Sequence, residues 1–303
     1  MVETTTKKAQ QLIKTLLSEG HIDKTTAKWL SLTPDPPRIP VFYTLTKIHK
    51  PTLVGRPIIS GCSGPIERIS AFVDHLIQPI AQLQASYLKD TTDFIIFINR
   101  IKLPKSAILV SMDVTCLYTN IPREGITTVC HAYEEFHQGN PPVPTRFLSE
   151  TLSLILLENL FQFNEKGYLQ TPGAAMGTKM AIAFANIFMA KIEKEILRQS
   201  SIKLIFWKRL IDDVISVWDT SRNEIEDFLL KANNFHPTIK FTAEISETET
   251  TFLDTKGTKV SDSTRILSLT YEHTSSLQRH SNTRISIRVT HQALQKASSK
   301  EKL

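Results

Sequence analysis

The chain has 303 residues, of which 41% are hydrophobic, so it can bury a substantial core as one large domain or as two lobes. Its 36 Lys and Arg residues against 30 Asp and Glu residues give a net charge of +6, which favours polyanionic partners without identifying them. The three cysteines lack CxxC spacing, which argues against a disulfide framework or a zinc site, and no apolar stretch suits a signal peptide or a membrane span. We therefore expect a soluble protein in a reducing, intracellular compartment.

The first part of the chain is predicted to form helices before and after one β-hairpin. Apolar side chains recur at helical spacing from Ala9 to Leu17, and Gly20 follows at a position where a helix could end. Prolines between residues 34 and 40 then favour extended chain, and the basic turn KIHKPTLVG joins two short β-prone segments. The predicted elements are helices at residues 1–30, 65–80 and 92–102 and strands at residues 41–48 and 56–60.

In the rest of the chain, acids lie at the ends of apolar segments. The run AILVSMDV ends at Asp113, which predicts a buried strand that delivers this acid to a surface. Asp212 and Asp213 lie between two β-prone segments. The predicted elements are strands at 107–114, 202–210, 214–218, 239–245 and 251–260, helices at 124–136, 145–157, 177–197 and 223–233, and a hairpin that turns at 164–167. After Arg279 few large apolar residues remain, which predicts a frayed tail.

The acidic pair Asp212 and Asp213 has unusual surroundings. Adjacent aspartates are most often found in solvated turns, and this remains the alternative. The flanking segments RLI and VISVW are apolar, so a turn here brings two like charges beside a core, where repulsion raises a carboxylate pKa unless a cation is present. Together with Asp113 on a neighbouring strand end, these carboxylates suit a pair of Mg²⁺ ions, which prefer carboxylate oxygens and complete their shells with phosphates and water.

Three motifs carry a resemblance to a known family. SMDVTCLYTNIP resembles motif A of reverse transcriptases, TPGAAMGTKMAIAFANIFMA resembles motif B, and FWKRLIDDVISVW resembles motif C, in the order that the family requires. The segments FYTLTKIHKP, GRPIISG, FHPTIKFT and TFLDT are similar to those of Penelope-like retroelement reverse transcriptases, which are relatives of telomerase. The similarity extends from about residue 18 to about residue 260.

The resemblance implies an α+β fold, a right-hand polymerase with fingers and palm, in which an antiparallel palm sheet is backed by helices. It implies an N-terminal helical extension at residues 1–36 and a reverse transcriptase domain at residues 37–260, with fingers at about 37–105 and palm at about 106–260. Residues 261–303 are expected to form a remnant of the thumb and a disordered basic tail, so that the thumb is incomplete.

The resemblance also assigns roles to individual residues of motifs A and C. Asp113, Asp212 and Asp213 match the catalytic, metal-binding acids of the family, although Asp213 could tune the site instead of binding both ions. Tyr118 matches the aromatic steric gate that stacks under the sugar of the incoming nucleotide and leaves no room for a 2′-hydroxyl. The alternative for Tyr118 is a tyrosine of the core.

Binding of the incoming dNTP is assigned to basic residues of the hairpin and to motif B. Lys47 and Arg56 resemble the pair that grips the triphosphate, and Lys50 could replace Lys47 because the turn differs in length from that of relatives. A solvated turn is the alternative. Gly173 and Gly177 would let the backbone come close to the template base and the sugar, since glycine is tolerated where a side chain would collide.

Weaker matches concern motif B and the C-terminal part of the similar region. Asn186 matches an asparagine of motif B, with helix packing as its alternative. Lys240 matches the lysine proposed to protonate the leaving pyrophosphate. The segment Phe252, Leu253 and Asp254 resembles the primer grip, although a plain strand with an apolar face would explain it as well.

The chain also departs from the family. Ile182 and Thr46 stand where relatives usually have proline, and no GIY-YIG-like nuclease segment is present. The resemblance therefore indicates a partial copy of such an enzyme in which the catalytic motifs of the palm are intact.

The leading hypothesis is an RNA-directed DNA polymerase that uses two Mg²⁺ ions, dNTPs, an RNA template and a DNA primer, in the nucleus of a eukaryotic host, without membrane contact. The alternative from another class is an inactive, nucleic-acid-binding remnant of such an element. A metal-dependent phosphohydrolase would need only the three acids and leaves Tyr118 and the PGAAMG turn unexplained.

Overall fold

A computed structural model describes residues 2–32, 37–46, 55–253 and 255–259, together with the backbone of the strand Ser268–Tyr271. The chain divides into two compact units, each assembled from several segments. The first unit takes its residues from Met1–Tyr87, Val114–Ser200 and Leu230–Phe241, and the second from Leu88–Asp113, Ser201–Leu229 and Thr242–Leu303.

Helices and antiparallel sheets give the chain an α+β fold. The helices are α1 (Val2–Ser18), α2 (Lys24–Leu30), α3 (Glu67–Gln82), α4 (Thr91–Ile98), α5 (Leu117–Asn120), α6 (Gly125–Phe136), α7 (Thr145–Leu157), α8 (Ala181–Arg198) and α9 (Arg222–Phe235). The strands are β1 (Val41–Thr46), β2 (Gly55–Ser60), β3 (Ile108–Val114), β4 (Leu160–Phe163), β5 (Lys166–Leu169), β6 (Leu204–Leu210), β7 (Asp213–Trp218), β8 (Phe241–Ser246), β9 (Glu249–Phe252), β10 (Thr255–Thr258) and β11 (Ser268–Tyr271). Among the described helices, none is long and apolar enough to cross a membrane.

The first unit is a helical layer with a small sheet. Helix α8 is its centre, because nearly every side chain of its first half is buried and it packs against α3 and α6. The predicted β1–β2 hairpin is confirmed, with Val41 paired to Ser60 and Thr46 to Gly55. Strand β4 joins β1 in parallel and β5 in antiparallel orientation, which gives the order β2-β1-β4-β5.

The second unit is built on the sheet β6-β7-β3-β8. Alternate side chains of β7 point to opposite faces, and both faces are covered. On one face, Ile215 and Val217 belong to a core cluster that includes Phe94 of α4. On the other face, the Trp218 ring lies 4.8 Å from the ring of Phe228 in α9. The central strands are therefore buried on both sides, which agrees with the buried strand predicted for the apolar run that ends at Asp113.

Three predicted elements need correction. The strand predicted at residues 251–260 is instead a hairpin, in which Phe252 of β9 pairs with Thr255 of β10 and Leu253 turns with φ of +54°. The helix predicted at residues 177–197 begins only at Ala181, because the Gly-rich segment before it forms a turn. The helix predicted over residues 1–30 is two helices, α1 and α2, and Gly20 lies between them with φ of +75°.

The start of α9 shows how a short polar sequence fixes a helix boundary. The Ser221 backbone N–H donates to Oε2 of Glu224 at 3.0 Å, and the Ser221 hydroxyl donates to the same oxygen at 2.7 Å. This is a capping box, in which the first turn satisfies its own free N–H groups. The Thr220 hydroxyl also donates to this carboxylate, and these hydrogen bonds lower the pKa of Glu224 to about 2.

We predict that Glu224→Ala lowers the melting temperature at neutral pH but not in strong acid. The folded-state pKa lies below the ordinary 4.5, so the stabilisation is present above that pH and is lost as the pH falls towards 2. Thermal unfolding from pH 7 to pH 2 should show the difference from wild type shrinking through this range. Asp227→Ala, an exposed change in the same helix, is the control. A difference that is independent of pH would contradict the capping role.

Candidate active site

Two acids face each other at the end of the central strand pair of the second unit. Asp113 of β3 is paired with Asp213 of β7 in the antiparallel register, so both side chains lie on the same face of the sheet. That face is the one on which Leu109, Ile215 and Val217 pack into the core cluster. Both acids are exposed, whereas the rest of β7 is buried. The apolar strands thus carry two carboxylates to the point where the core ends.

The third acid lies in the turn that joins β6 to β7. Leu210 pairs with Asp213, which leaves only Ile211 and Asp212 in the turn. Ile211 has φ of +59°, a conformation that a β-branched residue rarely adopts and that costs roughly 1–3 kcal/mol. Nη1 of Arg209, a residue that is only 1% exposed, donates to the Ile211 carbonyl oxygen at 3.0 Å. A buried guanidinium therefore holds the strained turn that carries Asp212.

This donor set suits magnesium, but the protein supplies only part of the coordination shell. Carboxylates that face each other across a ladder have Cβ atoms about 4.5–5.5 Å apart, and like charges there repel. Within the described ranges, no group of three or more His, Cys, Asp or Glu side chains is placed to hold a metal ion. Mg²⁺ is commonly held by one or two carboxylates with phosphates and water. The geometry fits an ion whose shell is completed by substrate, rather than a cage preassembled from all three aspartates.

Tyr118 lies in a tightly turned segment of the first unit. The segment begins with Cys116 at φ of +49° and continues into the short helix α5, which the sequence did not predict. Nδ2 of Asn120 donates to the Thr115 carbonyl oxygen at 2.9 Å, and the Thr238 hydroxyl donates to the Asn120 carbonyl oxygen at 2.5 Å. Tyr118 itself is half-buried, and its carbonyl oxygen accepts the Ala174 N–H at 2.8 Å. The backbone of the predicted sugar gate is therefore held on several sides.

The motif B glycines approach protein backbone, and their predicted approach to template and sugar stays a prediction. A Cβ on Gly173 would lie 2.2 Å from the Tyr118 carbonyl oxygen, and one on Gly177 would lie 2.3 Å from the Ile59 carbonyl oxygen. Both glycines also have positive φ, +69° and +115°. Contacts within the protein are thus sufficient to account for glycine at these two positions.

The basic hairpin is described only in part. Arg56 lies on β2, paired with Leu45 and exposed to solvent, as a phosphate-binding arginine requires. Lys47 and Lys50 lie outside the described residues, as does Asp254 of the predicted primer grip.

Four further predicted site residues have structural partners. Nζ of Lys240 donates to the carbonyl oxygens of Asn233 and His236, where it anchors the end of α9. Asn186 is only 4% exposed, so its amide is packed inside the first unit. Phe252 is 4% exposed and its ring lies 4.8 Å from that of Phe94, while Leu253 forms the turn of the β9–β10 hairpin.

Sequence reasoning missed Arg209 as a residue that positions the acids. The available signal was a charged residue inside an apolar strand, just before the turn, in FWKRLIDD. A buried charge is expensive unless it is hydrogen-bonded, so its occurrence in a strand indicates a specific acceptor.

Comparison with known proteins shows similarity in structure but not in sequence. No family profile matches the chain, and no curated protein matches it either. Apo telomerase from Candida tropicalis, truncated from its C-terminal domain, matches with a TM-score of 0.51 and 12% identity over 72% of this chain and 53% of that one. Telomerase from Candida albicans, in complex with a fragment of telomeric RNA, matches with a TM-score of 0.55 and 10% identity over 80% of this chain and 48% of that one.

Viral polymerases share the same architecture. The RNA-dependent RNA polymerase of a human picobirnavirus matches with a TM-score of 0.55 and 11% identity over 77% of this chain and 46% of that one. The chain thus spans about half the length of these three structures. At such identities the similarity is one of fold, and it confirms the predicted α+β polymerase fold with antiparallel sheets backed by helices.

We predict that Arg209→Met destabilises the protein by about 1–3 kcal/mol, because the Ile211 carbonyl loses a buried donor and the strained turn loses its support. Urea unfolding measures the change. Arg100→Met removes an exposed arginine of the same unit and should change stability by no more than about 0.5 kcal/mol. Equal effects of the two substitutions would show that Arg209 does not hold the turn.

Proposed function

We propose that this chain is the polymerase core of a reverse transcriptase from a Penelope-like retroelement, and that it copies RNA into DNA. The observation that carries the proposal is the position of Asp113 opposite Asp213, beside the turn of Asp212, at the end of strands buried on both faces. The order of motifs A, B and C in the sequence and the polymerase fold of the chain support it.

In this proposal the chain binds the metal ions, orients the incoming dNTP and selects its sugar. The carboxylates of Asp113, Asp212 and Asp213 hold two Mg²⁺ ions together with the triphosphate of the incoming dNTP. When bound there, Mg²⁺ activates the primer 3′-hydroxyl and neutralises charge on the leaving pyrophosphate. The guanidinium of Arg56 pairs with phosphate through its planar fork, and the ring of Tyr118 excludes a 2′-hydroxyl.

We propose an RNA template and a DNA primer as the nucleic-acid partners. The net charge of +6 favours a polyanion, and an A-form hybrid is held mainly through its phosphates and 2′-hydroxyls. The solved Candida albicans telomerase contains a fragment of telomeric RNA, which supports the same class of partner for this chain. As a retroelement enzyme that acts at chromosomal DNA, it would work in the nucleus of a eukaryotic host.

A second candidate is a remnant that binds nucleic acid without catalysis. It is favoured by the departures of the chain from the family, since Thr46 and Ile182 stand where relatives usually have proline. This candidate predicts salt-dependent binding of a hybrid and no Mg²⁺-dependent extension of a primer.

We predict that wild-type protein extends a DNA primer on an RNA template with Mg²⁺ and dNTPs, and that Asp212→Asn lowers the rate by about 10²–10³-fold. The substitution keeps the shape of the side chain but removes the negative charge that the metal-bound transition state requires. Asp227→Asn, which removes an exposed carboxylate from α9, is the matched control and should retain the wild-type rate.

Three outcomes separate the candidates. Extension that is lost only in Asp212→Asn supports the polymerase. Tight, salt-sensitive hybrid binding with no extension by wild type supports the remnant. Equal extension by wild type and Asp212→Asn would overturn the assignment of the acids.

A further inference from the structure

The turn that precedes α8, residues 173–177, is hydrogen-bonded to the backbone of Tyr118 within the first unit. The Ala174 N–H donates to the Tyr118 carbonyl oxygen at 2.8 Å. The neighbouring Gly173 has φ of +69°, and a Cβ there would lie 2.2 Å from that same oxygen and 2.5 Å from Cα of Thr119. These neighbours are backbone atoms, so they cannot avoid a new side chain by changing rotamer.

The other end of the same turn is hydrogen-bonded to strand β2. The Ile59 N–H donates to the Met176 carbonyl oxygen at 2.8 Å, and a Cβ on Gly177 would lie 2.3 Å from the Ile59 carbonyl oxygen. With both ends fixed, the turn has little freedom to retreat from Tyr118. A side chain at residue 173 must therefore displace the Tyr118 backbone.

We propose that Gly173 is a positioning residue for sugar selection, because the absence of its side chain allows the turn to hold the Tyr118 backbone in place. The inference rests on the proposed function, in which the ring of Tyr118 excludes the 2′-hydroxyl. Real Cβ atoms essentially never lie closer than 3.0 Å to another heavy atom. The distance from a Cβ at residue 173 to the Tyr118 carbonyl oxygen would therefore have to increase by roughly 0.8 Å, from 2.2 Å. A steric filter that works by contact is sensitive to shifts of this size, since about 1 Å of misplacement can change rates up to 10²-fold.

The experiment measures single-nucleotide incorporation on a primed RNA template with dNTP and with the matching rNTP. The readout is the ratio of the two kcat/KM values, which a purely structural change in the amount of folded protein does not move. Gly173→Ala should lower the preference for dNTP by about tenfold or more. The contribution of Tyr118 is tested in parallel with Tyr118→Ala, which should lower the same ratio.

The chain supplies a matched control at Gly139. This residue also has positive φ, +78°, but no atom lies within 4 Å of the position of its Cβ. Gly139→Ala thus introduces the same backbone strain without a collision, and its dNTP preference should equal that of wild type. A Gly173→Ala effect that Gly139→Ala reproduces would show that an alanine at positive φ lowers the ratio without contact to Tyr118, and would overturn the proposal.

The double variant Tyr118→Ala/Gly173→Ala tests whether the glycine acts through the tyrosine. If it does, the double variant has the dNTP preference of Tyr118→Ala alone, because the ring being positioned is absent. Multiplied effects of the two substitutions would overturn the proposal.

Failure of the inference and failure of the proposed function give different results. If Tyr118→Ala leaves the ratio unchanged, the sugar gate itself is wrong. If Tyr118→Ala lowers the ratio and Gly173→Ala does not, only the role of Gly173 is wrong.

Hydrogen exchange of the wild-type chain covers the case in which Gly173→Ala does not fold. The Ala174 amide should be protected to the same degree as the amides of α5, because it donates to the Tyr118 carbonyl. Rapid exchange of the Ala174 amide beside a protected α5 would overturn the proposal.

Discussion

The register of β3 against β7, which sets Asp113 opposite Asp213, is the constraint on which the candidate site depends. The two acids cannot separate, because the strands behind them are buried on both faces and paired residue by residue. A slip of one residue would turn every apolar side chain of β7 to the opposite face, so the register is strongly fixed. The energy of core burial thus keeps the two carboxylates side by side, where a cation would find two oxygen ligands.

The sequence predicted this central arrangement because its signals are local. Apolar runs that end at Asp113 and begin after Asp213 indicate buried strands with acids at their ends, and the structure confirms both strands. The turn at Leu253 was not predictable, since a leucine with positive φ has no turn signature and Gly257 lies inside strand β10 instead. The partners of Gly173 and Gly177 were missed because they come from distant parts of the chain, Tyr118 and Ile59.

Several residues of the motifs also have structural contacts within the folded chain itself. Gly173 and Gly177 accommodate carbonyl groups, Lys240 ties down the last turn of α9, and Phe252 fills the core of the second unit. These contacts act on stability and on the position of neighbouring backbone. The roles predicted for these residues towards nucleic acid and nucleotide stay predictions, as do those of the three aspartates, Arg56 and Tyr118. Arg209 and Gly173 support the backbone beside Asp212 and Tyr118.

In the proposed function, the acids at the end of β3 and β7 bind a divalent ion together with a nucleotide. Mn²⁺ takes the same oxygen ligands as Mg²⁺, so its binding can be followed by electron paramagnetic resonance in the presence of a primed hybrid and a non-reactive dNTP analogue. We expect Asp113→Asn combined with Asp213→Asn to weaken Mn²⁺ binding about tenfold or more, while Asp227→Asn leaves it unchanged. Equal Mn²⁺ affinity in wild type and in the double variant would show that these acids do not bind the ion.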